Sequence, residues 1–418
     1  MTKRRRLILP AVFALLSALV LAAGGYAAWK LLGPLPSPRV QLNLPGDLPI
    51  DPASPPPIPA PAQGSFDLVS SQAGELASRS PSTPAPIASI AKVMVALVTL
   101  QKKPLSGDQP GPTYAITAQD VADYRLVSRE GGSRLAVSLG EQFSERQLLL
   151  GLLLPSADNL ADTLGNWVAG SDAAFVADLN AEARALGMSQ TNFADDSGLS
   201  PQTVSTAADL VRLGQAALAN PVLAQLVATR SAMMPGGTVV QNLDTNLGTI
   251  PGWLGIKTGY TGEAGGCLLF AADHPGPLGS SPVQVVGAIL GQPASGPAGL
   301  GPALSAASAA IEAAFGAYDT VNPSAFPTPP DRGQVTSAWG TRAGILVALE
   351  HSAAPVEVRR GTTLSLSAAP VSRLPDPLPA GTVVAHISGR LAGRTLATWS
   401  VAATGGLGEP TWQWLLTH

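Results

Sequence analysis

The 418-residue chain has one cysteine, four histidines and few aromatic residues (5%), and only 13% of it is charged. One cysteine cannot close an intrachain disulfide, so no disulfide framework holds this fold. Cys267 lies in Gly265-Gly266-Cys267-Leu268-Leu269-Phe270, a run expected to be a buried strand where a small thiol is inert. His274, His351, His386 and His418 are scattered singly, with no metal-ligand spacing and no obvious acidic orienter for an imidazole. A zinc site or a histidine triad is therefore unsupported, and neither a metal nor a cofactor is predicted. Lys and Arg number 25 against 28 Asp and Glu, a net charge of −3, and the only charge run is at residues 3–6. That balance leaves no basic face for nucleic acid. Internal repeats are absent too.

What the chain does have begins at its start. Lys3-Arg4-Arg5-Arg6 precedes an uncharged run of 22 residues, 7–28, followed by Trp29-Lys30. Such a run is long enough to span a bilayer, and the leading positive charge orients it with the N-terminus inside. The expectation is a cytoplasmic basic tail at 1–6 and a transmembrane signal anchor at 7–29. A cleaved signal peptide, with Ala22-Ala23-Gly24 as its small-residue site, is the competing reading. Next, 11 of the 30 residues from 33 to 62 are proline, a composition that builds an extended, semi-rigid segment rather than a core. Residues 30–63 are expected to be a stalk.

From residue 64 short strand-like runs alternate with long helical ones. Ser144-Glu145-Arg146-Gln147 is a capping box that opens a helix through Leu154, Pro155 breaks it, and a second helix runs to about Ala169. Another helix starts near Ser205-Thr206 and carries Leu210, Leu213, Ala217 and Leu218 at helical spacing. Residues 239–270 and 283–290 read as strands, and 304–315 as a closing helix. This predicts one mixed domain at 64–318, a proline-rich linker at 319–331 and a β-rich C-terminal domain at 332–418, with strands at 344–350, 356–366, 382–388 and 394–401. Trp412 and Trp414 read as packing residues at the end of that domain, or as an interfacial aromatic patch.

Three short motifs occur in order within the mixed domain. Ser89-Ile90-Ala91-Lys92 sits in residues 87–100, which are apolar on nearly every side and predict a buried helix. Residues three apart share a helical face, and a hydroxyl beside a desolvated amine can be a nucleophile beside its base. Alone, the pair reads equally as a lysine snorkelling from a helix end. Ser156-Ala157-Asp158-Asn159 follows the proline break, and Lys257-Thr258-Gly259 lies on a strand-like run. Each is weak by itself. All three in this order form the set shared by penicillin-binding proteins and class A β-lactamases.

Further segments extend the match. Thr191-Asn192-Phe193, Ser197-Gly198-Leu199, Ser205-Thr206-Ala207-Ala208-Asp209 and residues 255–261 with Ala264-Gly265-Gly266-Cys267-Leu268 complete it. From about residue 87 to 269 the chain resembles the serine D-alanyl-D-alanine carboxypeptidases, the low-molecular-mass penicillin-binding proteins. That resemblance implies an α+β fold: an antiparallel sheet flanked by helices, an all-helical subdomain, and a small β-rich C-terminal domain. It implies an enzyme of the bacterial cell membrane, single-pass and with its catalytic domain extracytoplasmic. Its partners would be peptidoglycan stem peptides ending in D-Ala-D-Ala, with β-lactams as covalent inhibitors.

Residue by residue, Ser89 would be the nucleophile, Lys92 its general base and Ser156 the proton relay. Lys257 would be the second cation that keeps Lys92 neutral, and with Thr258 would hold the substrate carboxylate. Gly259 would let the backbone pass close to the ligand, and the amides of Ser89 and Tyr260 would form the oxyanion hole. The family's second motif is Ser-x-Asn, whereas Asp158 stands third here and Asn159 follows, so either residue is a candidate for the substrate-gripping role. Two rivals stay open. A β-lactamase would need a glutamate-held water, with no obvious counterpart between Ser156 and Lys257. A non-catalytic wall-binding protein would rest on Asp158 as a sign of a degenerate site.

Overall fold

The computed structural model describes residues 3–51, 53–275, 282–296 and 299–418, with residues 3–11 described by their backbone alone. The side chains of the basic run at 3–6 thus lie outside the described residues. The chain forms two compact units, Pro55–Tyr318 and the combination of Met1–Ser54 with Asp319–His418.

In the first unit, five antiparallel strands lie in the order Trp253–Thr261, Gly265–His274, Val283–Gln292, Ser65–Ser70 and Gly74–Arg79. The inner strands are covered on both faces, so they read as continuous apolar runs rather than alternating ones. Phe66, Leu68, Phe270 and Ile289 meet Ala303, Ala307 and Ile311 of the helix Gly301–Phe315 on one face. On the other face Leu269, Val286 and Ala288 pack with Leu210 and Leu213 of the helix Ala207–Ala219. Gly214 sits at that contact: a Cβ there would stand 2.8 Å from Val286 Cγ1, so a side chain would push helix and sheet apart.

The helical part contains Ala91–Lys102, Ala118–Glu130, Glu145–Leu153, Asp158–Ala169 and Asp172–Ala185. The capping box at Ser144 forms as expected: Ser144 Oγ accepts from Gln147 N at 3.2 Å, and Gln147 Oε1 from Ser144 N at 3.0 Å. The strand expected across 239–270 is interrupted. Val239–Gln241 pairs with Ser231–Met233 in a separate hairpin, and the sheet strand begins only at Trp253. Between them Asp244 holds a turn, accepting from Asn246 N at 3.1 Å and Trp253 Nε1 at 2.9 Å. Polar turn chemistry overrides the apolar pattern there.

The second unit carries the helix Lys3–Leu32, whose stretch Val12–Leu32 is long and apolar enough to cross a membrane. Its seven-stranded sheet corrects the expectation for the proline-rich run. Arg39–Leu42 and Asp47–Pro49 are the two edge strands, pairing with Gly333–Thr336 and Thr363–Pro370. An edge strand tolerates proline because its outward side donates to no neighbour. The run is therefore part of a sheet over these residues, not a free stalk. The strand expected at 356–366 is split into Val356–Arg359 and Thr363–Pro370 around Gly361, whose φ of +77° turns the chain. Trp414 packs on Trp339 with ring centroids 5.7 Å apart, whereas Trp412 is exposed.

Candidate active site

Residues Ala88–Ile90 form a single 3-10 turn that leads into the helix Ala91–Lys102. Ser89 therefore sits just ahead of the helix, on its positive end, instead of inside it. Ala88 enters this turn at φ +48°, and Ser156 holds φ +65° between its two helices. Strained non-glycine backbone of this kind clusters at functional sites, where the surroundings over-determine it. Both outliers lie beside or within the sequence motifs.

Lys92 is fully buried, and its Nζ donates to three oxygens: Ser89 Oγ at 2.8 Å, Asp158 Oδ1 at 2.6 Å and Ser197 O at 2.7 Å. These contacts use all three protons of an ammonium. Asp158 begins the helix Asp158–Ala169, where the dipole favours a carboxylate, and its amide donates to Ser133 O at 2.7 Å. Its second oxygen, Oδ2, is buried without a partner. A Cβ at Gly132 would stand 2.7 Å from that oxygen, so glycine is what leaves room for it.

The strand Trp253–Thr261 carries the third motif. A register shift between Trp253 and Gly255 bulges it just before Lys257, a device that re-aims side chains next to sites. Lys257 is buried and donates to Thr258 O at 3.0 Å. Burial strips its ammonium of water and drives its pKa down to about 7, with the positive Lys92 adding to the effect. Lys92, by contrast, is paired with the carboxylate of Asp158. Gly259 runs flush against the nucleophile turn, since a Cβ there would lie 3.1 Å from both Ser89 N and Ile87 O.

A cavity of about 390 Å³ is lined by Ser89, Ser133, Ser156, Leu243, Thr258, Gly259, Tyr260, Ala294, Ser295, Gly296, Gly299 and Leu300. Of the residues singled out in the sequence, Ser89, Ser156, Thr258, Gly259 and Tyr260 line it together, and Ser156 Oγ is buried with no partner. Lys92, Lys257 and Asp158 are buried instead of lining it. Asn159 does not join them. Its Oδ1 accepts from Leu135 N at 3.0 Å and its Nδ2 donates to Leu135 O at 3.1 Å, so both ends of its amide are committed to a backbone strap.

Sequence reasoning missed Ser133, Leu243 and the Ser197 carbonyl. The last had a signal: Asp195-Asp196-Ser197-Gly198 is dense in turn formers. Asp195 accepts from Ser197 Oγ, Leu199 N and Ser200 N, and a Cβ on Gly198 would collide with Ala88 O. The arrangement places a hydroxyl, an amine in contact with it, a second unpartnered hydroxyl and a close-running strand around one cleft. That inventory suits acyl transfer through a serine ester.

Comparison with known proteins agrees. The profile of the Peptidase_S11 D-alanyl-D-alanine carboxypeptidase family matches residues 54–279. D-alanyl-D-alanine carboxypeptidase DacB2 of Mycobacterium tuberculosis is 39% identical over 239 residues, covering 55% of this chain and 77% of that protein. A D-alanyl-D-alanine endopeptidase of Pseudomonas aeruginosa is 35% identical, covering 54% of this chain and 70% of its own length. Among solved structures, a D-alanyl-D-alanine carboxypeptidase from Mycobacterium tuberculosis is 32% identical with a TM-score of 0.53, covering 64% of this chain and 96% of that one.

Proposed function

The chain belongs to the D-alanyl-D-alanine carboxypeptidase family of serine peptidases, and from that premise we propose that it trims the terminal D-alanine from peptidoglycan stem peptides through a Ser89 acyl-enzyme. The observation that carries this reading is the 2.8 Å contact of Lys92 Nζ with Ser89 Oγ beside the cavity. Ser89 Oγ attacks the carbonyl of the penultimate D-alanine as its proton passes to Lys92. Lys92 acts as base in its neutral form, and its 2.6 Å contact with Asp158 holds the amine against the hydroxyl.

The oxyanion forms at the amides of Ser89 and Tyr260, brought near each other by the side-chain-free Gly259. Losing one such donor costs about 2.7–4 kcal/mol of transition-state stabilisation. Ser156, whose hydroxyl is otherwise unpartnered, gives its proton to the departing D-alanine nitrogen as the C–N bond breaks and regains one from Lys92, which holds the proton taken from Ser89. Water then cleaves the ester and frees Ser89. Lys257 and Thr258 hold the substrate carboxylate, the lysine acting when protonated. Asp158, in the amide position of the second motif, serves Lys92 and not the substrate. β-Lactams acylate the same serine. The helix ending at Leu32 anchors the enzyme in the membrane, with the peptidase unit outside.

The test is product analysis with a defined pentapeptide and a cross-linked muropeptide, alongside labelling by a fluorescent penicillin. Wild type should release D-alanine from the pentapeptide and carry a stable label. Ser89→Ala should lose both. D-Alanine release that survives Ser89→Ala and Lys92→Ala would sink the mechanism, and cleavage of the cross-link alone would make the enzyme an endopeptidase.

A further inference from the structure

We propose that Asp162, Asp172 and Asp196 form a binding site for a hard divalent cation of the Ca²⁺ class, outside the catalytic cleft. One oxygen from each carboxylate lies within 4.8 Å of the others. Oxygens on one bound Ca²⁺ are up to about 4.6–5.2 Å apart, twice the usual 2.3–2.6 Å bond, so a single ion reaches all three. The donors are carboxylates only, which suits a hard cation and not zinc or copper.

Proximity of acids is common at surfaces, but Asp196 is not a surface acid. It is 4% exposed, and its Oδ2 has no hydrogen-bond partner. A Cβ on Gly165 would stand 3.2 Å from that oxygen, so the helix carrying Asp162 has a glycine where Asp196 enters. The adjacent Asp195 shows the opposite economy, since its carboxylate accepts from Thr203 Oγ1, Ser197 Oγ and two backbone amides. The fold thus surrounds one of two neighbouring aspartates with donors and leaves Oδ2 of the other unpartnered. A buried polar oxygen without a partner is costly, and a bound cation satisfies it.

The surroundings add negative charge. Asp123 and Asp158 also lie close enough to act on Asp162 through their charge. Asp172 is exposed and gives an ion a way in from solvent. The three ligands join the helix Asp158–Ala169, the start of the helix Asp172–Ala185 and the loop whose next residue, Ser197, accepts from Lys92. A cation there would be a positioning device for the Lys92 contacts.

The experiment uses the full chain after chelator treatment. Binding is read by equilibrium dialysis with ⁴⁵Ca²⁺, and stability by thermal unfolding with Ca²⁺ or Mg²⁺. Wild type should bind about one Ca²⁺ with a Kd below about 1 mM. Its Tm should rise saturably, by about 5 °C at a hundredfold excess over Kd, and less with Mg²⁺. Asp162→Asn and Asp196→Asn should each lose at least tenfold in affinity while still melting cooperatively without the ion. Should either fail to fold, Asp172→Asn decides, because its exposed carboxylate bears on affinity and not on the core. Asp178→Asn, an exposed acid paired with Lys102, is the control and should bind like wild type. No Ca²⁺ binding by wild type, or wild-type affinity in the Asp162, Asp172 and Asp196 variants, overturns the proposal.

Discussion

Asp158 and Asp162 stand one turn apart on the same helix and meet opposite fates. Asp158 faces a lysine at 2.6 Å, and Asp162 lies beside the carboxylates of Asp172 and Asp196. Both lie in a part of the protein with little water, where an interaction between charges is several times stronger than at the surface. A paired buried charge is hard to remove without damage, because its partner is left uncompensated. A like-charged cluster without a counter-ion is the reverse: removing one member relieves it. The same contrast separates the two lysines of the cleft, Lys92 held by a carboxylate and Lys257 held by a single carbonyl.

Breaking the paired side should give the largest effect. Asp158→Ala leaves Lys92 buried without its counter-charge, and denaturant unfolding should show a loss of roughly 3–5 kcal/mol together with loss of penicillin acylation. Stability unchanged in that variant would mean the pair is not formed in solution.

Next comes Lys257, whose lowered pKa has two consequences. The unfolded chain holds this proton up to the usual lysine range of 10.5 and the folded chain only to about 7, so folding releases it in that window and stability rises with pH there. Carboxylate gripping runs the other way, since neutral Lys257 is no longer a cation. KM for a D-Ala-D-Ala substrate should climb above pH 7, by up to about tenfold per unit. Lys257→Arg, with a guanidinium that keeps its charge, should flatten that profile. A flat wild-type profile between pH 6 and 9 would remove Lys257 from carboxylate binding.

Asn159→Ala should destabilise by about 1–3 kcal/mol through the orphaned Leu135 amide and carbonyl, with acylation rates near wild type. A selective loss of activity would return Asn159 to the site. The smallest effect is expected on the like-charged side. In chelated protein, Asp162→Asn should raise stability by roughly 1 kcal/mol, measured by thermal unfolding. A decrease would mean that the carboxylate has an opposite partner in solution.

Much of this site was legible from local spacing. Ser89 and Lys92, Ser156, and Lys257 through Tyr260 announced themselves because each motif needs its residues on one turn or one strand, and the structure brings five of them to a single cavity. The ambiguity at 158 and 159 was not legible. Adjacent residues at a helix start point about 100° apart, and which one faces the lysine depends on how the strap at 132–135 packs against that helix. The edge strands at 39–42 and 47–49 were hidden for a related reason. They are short and proline-rich, and their pairing partners lie some three hundred residues away.

The sequence by itself determined the chemistry on offer: a hydroxyl three residues before a lysine in an apolar run, a second serine after a proline break, a Lys-Thr-Gly strand, and an apolar start to the chain. Spacing along one helix or strand is a local property, so it can be read without the fold. Tertiary structure alone decided which charges are paired. Ser89 and Lys92 are three residues apart, but Asp158 reaches Lys92 across 66 residues and Ser197 across 105. Only packing determines whether a buried carboxylate finds a lysine, as Asp158 does, or more carboxylates, as Asp162 does.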